Sequence, residues 1–392
     1  MTQPIEAWSS ASRTLRPEQA RALHESGLVR VSIDEPPDRW RLVADSRVGV
    51  VSGDGWEVRV VPRIAIPRLM FLLGYAVDSG GWRDIAAPMG HDDDFFAAIA
   101  SSFAWHAQRA LEPGAIRGYV RVEETSMTVK GRLRVGAHIA CRAGLPLPVE
   151  IEFDDYTIDV QENRLLAAAA TRLLRAPGLP ALARRRLARI RETLRDASPP
   201  VNLDRPPDTR LNAHYRPALT LAGLILRHLS VTTVRGRVAA CAFVFDMNKV
   251  FEDFLSTALT ASLRRRGGYV RLQYSPQFLD EEMRLRLKPD LTWWAGGTLR
   301  AVVDAKYKAL TDDRFPNADA YQMLAYCKGF NVSSGTLVYA QDPLGSDRVH
   351  TLPGGVRINV RSVNLEAQPP AVLAQVEALA RSLAREAGVV SH

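Results

Sequence analysis

Cysteine is scarce in this chain, with 3 among 392 residues. Cys141, Cys241 and Cys327 form no C-x-x-C pair and are odd in number. That argues against a disulfide framework or a zinc ribbon and suits a reducing compartment. Long apolar runs are also lacking, since none approaches the ~20 residues needed to span a bilayer. The nearest, ALTLAGLILRHLSV, is short and is interrupted by Arg227 and His228. The opening MTQPIEAWSS carries no apolar signal core, so a cytoplasmic protein without a membrane partner is expected. There is no internal repeat and no low-complexity tract. The phosphate loop G-x-x-x-x-G-K-[ST] is missing as well, so nucleotide binding of that kind is not expected.

What is present is an ordinary globular composition, 24% charged and 46% hydrophobic. The length allows two domains at ~150 residues each. Net charge is +8 and the pI is about 9.6. That balance suits a polyanion such as nucleic acid, and equally a merely basic surface.

The first part reads as strands. GLVRVSID, WRLVADSRVGVVSG and WEVRVVPRI are rich in Val, Ile and aromatic residues and are broken by turn formers such as Ser52-Gly53-Asp54-Gly55. A helix is predicted in IPRLMFLLGYAV. Another is predicted in HDDDFFAAIASSFAWHAQRAL, where the acids of His91-Asp92-Asp93-Asp94 suit a first helical turn better than a metal site. Strand-like segments return in GYVRVEETSMTVKGRLRVGAHIA. From about Ile158 apolar residues recur at helical spacing, followed by a proline-rich connection over 197–217 and another helix near Leu219–Leu229. The run ARRRLARIRETLR suits DNA phosphates and a solvated helix face about equally.

The last block predicts a helix in DMNKVFEDFLSTALTASLRRRGG, strands in YVRLQYSP, KPDLTWWA and LRAVVDAKYK, a helix in NADAYQMLAYCKGF and a strand in GTLVYA. Hairpins plus one helical crossover give a mixed sheet with helices on its faces. The expected class is α/β, α+β overall. The expected domains are a strand-rich one over 1–155 and a helical region with a nuclease-type domain over 156–392, its core at about 243–345.

Within this block, three charged residues interrupt otherwise apolar strands. Residues two apart on a strand face one side, so Asp304 and Lys306 project together, and Asp290 lies on the neighbouring strand. Two carboxylates suit Mg²⁺, a hard cation that keeps several waters, with Mn²⁺ as a substitute. Such an ion acidifies a water and neutralises a phosphodiester. A lysine beside it can hold the attacking water and stabilise the developing charge. A surface ion pair on an edge strand is the plainer alternative. Glu252, on the preceding helix, suits a solvated face, and Gln322, on the following helix, suits packing with Tyr326. Trp293-Trp294 would pack the sheet.

The pattern Pro289-Asp290, then Asp304-x-Lys306, resembles that of the PD-(D/E)xK nucleases. FVFDMNKVFEDFL, KPDLTW, AVVDAKYK and DAYQMLAYC together resemble the McrC family, nuclease subunits of McrBC modification-dependent restriction systems. VGVVSGDGWEVRVVPRIAIPRLMFLLGYA, KGRL and DDYTIDVQENRLL add to the resemblance, which covers most of residues 45–345. Residues 1–40 and 345–392 show nothing comparable.

The resemblance implies a Mg²⁺-dependent endonuclease subunit that cleaves modified, methylcytosine-containing double-stranded DNA in defence against foreign DNA. Its partner would be a McrB-like AAA+ GTPase hexamer, in which the N-terminal domain docks and stimulates GTP hydrolysis. Carried onto this chain, Asp290, Asp304 and Lys306 are catalytic, with Glu252 supporting as an additional acid at the metal site and Gln322 as a polar residue facing it. Two other classes remain: a non-catalytic DNA-binding activator of an AAA+ motor, and a stand-alone repair nuclease. The filled catalytic positions speak against the first, and the large N-terminal domain against the second.

Overall fold

A computed structural model of the chain describes residues 4–35, 38–77, 79, 95–142, 145–234, 237–309, 315–341 and 347–389. The chain gathers into two compact units, residues 1–87 with 242–392, and residues 88–241. The sequence placed its boundary at 155/156 instead. That point falls inside a strand, where Asp155 faces Val120 and Tyr156 faces Tyr119 in a continuous ladder, so the chain cannot part there.

The first stretch comprises β1 (Ile5–Glu6), β2 (Ser10–Thr14), α1 (Pro17–Ser26), β3 (Val29–Ile33), β4 (Arg39–Ala44), β5 (Arg47–Gly53), β6 (Trp56–Val61) and α2 (Ile66–Val77). It is strand-rich, as its Val and aromatic content predicts. β2, β4 and β3 form an antiparallel sheet, and β5 and β6 a hairpin across the expected Gly-rich turn. Nearly all of α2 is buried from Leu69 to Tyr75, which its apolar sequence requires.

The second unit holds α3 (Phe95–Leu111), β7 (Gly118–Ser126), β8 (Arg132–Leu133), α4 (Val135–Arg142), β9 (Val149–Thr157), α5 (Gln161–Leu174), α6 (Ala181–Thr193), α7 (Arg216–His228) and β10 (Leu229–Val234). The strand reading of 118–140 holds only to Leu133. Val135–Arg142 is helical, with Val135 and Ile139 four residues apart on one exposed side. The predicted helices over 160–197 are α5 and α6. The proline-rich connection is tied to α5 by polar clamps. Ser198 donates from N at 2.7 Å and from Oγ at 2.8 Å to Asp159. Arg164 donates twice more to Asp159, at 2.7 and 2.8 Å. These partners hold the Asp159 carboxyl at about 2, the Arg164 guanidinium contributing most. The acids at 91–94 lie outside the described residues.

The chain returns to the first unit through β11 (Arg237–Asp246) and continues as α8 (Met247–Arg264), β12 (Tyr269–Leu272), β13 (Leu291–Ala295), β14 (Thr298–Ala309), α9 (Asn317–Gly329), β15 (Ser334–Gln341), β16 (Arg348–Thr351), β17 (Arg357–Ser362) and α10 (Pro369–Glu386). Helix, three strands, helix and strand therefore follow in the predicted order. The predicted helix over 246–268 begins at Met247 because Asp246 caps it, accepting the Asn248 amide at 2.9 Å. Gly296 and Gly297, both at positive φ (60° and 74°), turn β13 into β14. That conformation fits a two-residue hairpin and costs any other residue type.

The sheet is larger than expected. Its six strands run in the order β12-β13-β14-β15-β17-β16, antiparallel at both ends and parallel across β14-β15-β17. The overall class is α+β. Its core on the α9 face joins Val302, Leu337, Tyr339, Ile358 and Val360 to Met323, Tyr326 and Cys327 of the helix. Phe251 of α8 meets Tyr307 of β14 at 6.4 Å between ring centres.

Candidate active site

The antiparallel register sets Leu291 opposite Val303. The residue before Leu291 therefore comes opposite the residue after Val303, and Asp290 faces Asp304 across two neighbouring strands. A single hydrogen bond fixes the approach: the Ala305 amide donates to Asp290 Oδ2 at 2.8 Å. The alternation expected of a strand places Lys306 on the side of Asp304, and Lys306 Nζ stands 2.6 Å from Asp304 Oδ2. The plainer reading of these residues as an edge-strand ion pair does not hold, because β14 is internal to the sheet and Asp304 is only 2% exposed.

The electrostatics follow from burial. Asp290 is pushed up to about 7, first by loss of water and then by the Asp304 carboxylate, while the Ala305 amide acts the other way. Asp304 is also raised. Burial dominates there and outweighs the lowering by Lys306, and Asp319 and Glu252 raise it further. Two acids thus face each other in a poorly hydrated place with one ammonium between them and α9.

A polar chain leads from that ammonium into the helix. Lys306 Nζ donates to Gln322 Oε1 at 2.7 Å. Gln322 Nε2 donates to Tyr326 Oη at 2.8 Å, and Tyr326 Oη donates to the Lys288 carbonyl at 3.0 Å. Gln322 and Tyr326 lie one turn apart on α9, which lets one helix face reach the site. The last bond returns to the segment that carries Asp290.

Glu252 sits on α8 with a side chain 18% exposed. Gln273 Nε2 donates to its Oε1 at 2.6 Å, and Lys249 Nζ lies at 3.2 Å. Glu252 raises both aspartates electrostatically. Among the described residues no three His, Cys, Asp or Glu side chains gather closely enough to hold an ion together. Glu252 stands beside the aspartate pair, fastened by Gln273 and Lys249. The pair itself suits a hard divalent cation. Its donors are carboxylate oxygens, and the buried Asp304 Oδ2 has no hydrogen-bond partner beyond its ion pair with Lys306.

Gln273, Asp319 and Lys308 escaped the sequence reading. Gln273 links Glu252 to the hairpin, since its own amide also donates to the Asp290 carbonyl oxygen at 2.9 Å. It does so at φ 46°, a left-handed conformation rare outside glycine. No sequence signal marks it. Asp319 is 6% exposed and receives the Tyr339 hydroxyl at 2.6 Å and Lys308 Nζ at 2.7 Å. Its place three residues before Gln322 on one helix is a signal that could have found it, and Lys308 continues the Asp304, Lys306 alternation. Trp293 is fully buried, with Nε1 donating to the Gly267 carbonyl at 3.0 Å. Trp294 is half-buried against Tyr269 and Tyr274.

A family described as "McrBC 5-methylcytosine restriction system component" matches residues 42–340. One solved structure, of a Thermococcus gammatolerans half-complex of McrB AAA+ hexamers with bound McrC, shares the fold at a TM-score of 0.58. It is 17% identical, over 98% of this chain and 100% of that one. A second, a cryo-EM structure of the Thermococcus gammatolerans McrBC complex, aligns at a TM-score of 0.41 and 21% identity over 66% of this chain and 87% of that one. No curated protein matches the chain in sequence. Among the described residues no helix is long and apolar enough to cross a membrane.

Proposed function

The chain belongs to the family of McrBC 5-methylcytosine restriction system components, and from that membership we propose that it is the DNA-cutting subunit of such a system. The observation that carries the reading is the meeting of Asp290, Asp304 and Lys306 on adjacent strands, with Gln322 orienting the lysine. This meeting supports the reading of a PD-(D/E)xK endonuclease.

Asp290 and Asp304 would hold Mg²⁺, or Mn²⁺ in its place. When bound, such an ion supplies charge neutralisation on the phosphodiester and an acidified water. The protein's own groups do the rest. Lys306 is placed to orient the attacking water and to stabilise charge building on the phosphoryl oxygens. Gln322 and Tyr326 hold that ammonium in position. Glu252 sets the field around the aspartates and is itself positioned by Gln273.

The partner would be an AAA+ GTPase hexamer of the McrB kind, engaged by the strand-rich N-terminal part, in the cytoplasm. The substrate would be double-stranded DNA carrying methylcytosine. Supporting the partner is the neighbouring structure's description, McrB AAA+ hexamers with bound McrC.

Cleavage of methylated and unmethylated plasmid with Mg²⁺ tests the reading. The chain would be assayed alone, with the AAA+ protein encoded beside it plus GTP or ATP, and as Asp304→Ala with that partner. Partner-dependent cutting of methylated plasmid that vanishes in Asp304→Ala is expected. Undiminished cutting by Asp304→Ala would show that the hairpin is not the active site, and a ring-binding adaptor would then be the better account.

A further inference from the structure

Beside the aspartate pair, toward the open edge of the sheet, one guanidinium is surrounded by rings. Arg271 Cζ lies 4.5 Å from the centre of the Tyr274 ring, 5.3 Å from Tyr269 and 5.8 Å from Trp294. The rings brace one another. Tyr269 and Trp294 stack with an interplanar angle of 1° at 6.3 Å, and Tyr274 meets Trp294 edge-on at 6.0 Å. Arg271 is exposed, and no carboxylate of the described residues forms an ion pair with it. Aromatic faces attract a guanidinium and leave its N–H edge and its charge free. A carboxylate would have spent both. The side chain is thus held in one place with its donors unspent, the state suited to binding an incoming anion in two-pronged fashion.

Its position says which anion. Arg271 pairs with Thr292, and Leu272 with Leu291, so the next residue, Gln273, comes opposite Asp290. Arg271 therefore shares the sheet face of the aspartates, because its partner Thr292 and Asp290 lie two residues apart on one strand. Gln273 in turn touches both Glu252 and the Asp290 backbone.

We propose that Arg271, caged by Tyr269, Tyr274 and Trp294, is a phosphate-binding subsite for the DNA strand being cut, gripping a phosphate next to the scissile one. The inference rests on the nuclease reading of the aspartate pair. In this role Arg271 is a positioning residue that sets where along the backbone the cut falls, and it makes no choice of base.

The test uses the full chain in an Asp304→Ala background, alone and with its AAA+ partner, and measures binding of a labelled duplex by fluorescence anisotropy across a salt series. Arg271→Gln is expected to weaken binding roughly 5- to 20-fold at low salt. It should also lower the slope of log affinity against log salt by ~0.9, because the variant neutralises one phosphate fewer. Tyr274→Leu, which leaves the charge but opens the cage, is expected to weaken binding less and to keep the slope. Arg271 is exposed, so Arg271→Gln should fold, and an unchanged melting temperature checks that. Equal affinity and slope for Arg271→Gln and its parent overturn the subsite. So does an absence of salt-dependent binding by the parent chain in both settings. Failure of the nuclease reading is seen separately, in Asp304→Ala protein that still cuts plasmid, and that result also removes the subsite's premise.

Discussion

Asp290 accepts the backbone amide of Ala305 at 2.8 Å, so the acid of one strand is fastened to the peptide that follows the acid of the next. The hydrogen bond holds together two groups whose charges repel. Asp290 is raised to about 7 and Asp304 is raised with it, by burial above all. A carboxyl whose folded value is raised favours the fold when protonated. Between about 4 and 7 the folded chain binds more protons than the unfolded one, and metal-free stability falls as pH rises through that window. Asp290→Asn keeps an acceptor for Ala305 and removes the charge. It should stabilise the metal-free chain at pH 8 by on the order of 1–3 kcal/mol, give little gain at pH 4–5, and abolish cutting. Urea unfolding of both proteins in EDTA at the two pH values checks this. Equal stability at pH 8 would mean the two acids are not forced together.

Lys306 touches both Asp304 and Gln322, at 2.6 and 2.7 Å. Removing the ammonium removes the group that meets the reacting atoms, whereas removing Gln322 only frees it to move. Lys306→Met should cost about 10³-fold in the rate of plasmid cutting, of the size seen when one stabilising donor is removed. Gln322→Leu should cost roughly 10-fold, and Gln322→Glu, which still accepts from Lys306, should cost less. Single-turnover cutting rates at saturating partner separate the three. A Gln322→Leu loss as large as that of Lys306→Met would make Gln322 itself a catalytic group.

The meeting of Asp290, Asp304 and Lys306 was legible because two rules suffice: alternation along a strand and adjacency across a glycine turn. Gln322 was named through the nuclease resemblance, which implies a polar residue on the next helix facing that strand. Asp319 and Tyr339 were within reach of the same logic, since one shares a helix face with Gln322 and the other lies opposite Lys306 in the parallel register. Gln273 was not, because its role comes from a left-handed turn after β12 that no residue type announces. Nor were β16, β17 and α10. β17 joins by parallel pairing with β15, and parallel partners lie too far apart in sequence for a turn signal to reveal them. Val135–Arg142 misled because short apolar runs fit a strand or a helix until tertiary contacts decide.

Gly335 of β15 lies tight against the side chains of α9. A Cβ there would lie 2.2 Å from Met323 Sδ and 2.9 Å from Cys327 Sγ. Both are core atoms on the helix that carries Gln322 and Tyr326. Gly335→Ala should therefore push α9 outward, destabilise the chain by about 1–3 kcal/mol, and slow cutting beyond what the stability loss explains. Met323→Ala in the same chain makes room and should restore part of the cutting rate. Comparison of the two variants by thermal unfolding and by cutting rate checks the coupling. A Gly335→Ala chain that is destabilised yet cuts like its parent would show that the helix position does not govern the site.

Divalent metal should reverse the pH trend of the chain without metal. A cation at Asp290 and Asp304 competes with protons that burial favours on both acids and that Asp290 holds up to about 7, so its binding strengthens as pH rises. It also relieves the repulsion that weakens the metal-free fold. Millimolar Mg²⁺ should raise the melting temperature of the parent more at pH 8 than at pH 6, with Mn²⁺ doing the same. EDTA should remove the gain and the cutting together. Asp304→Asn should lose both the gain and its pH dependence, because an amide offers one neutral oxygen in place of the carboxylate that faces Lys306. Glu252→Gln supplies the contrast. Its carboxylate lies beside the pair under Gln273 and Lys249, so that variant should keep most of the Mg²⁺ stabilisation while cutting more slowly. A Mg²⁺ effect lost as fully in Glu252→Gln as in Asp304→Asn would make Glu252 a third ligand, brought in when the ion arrives.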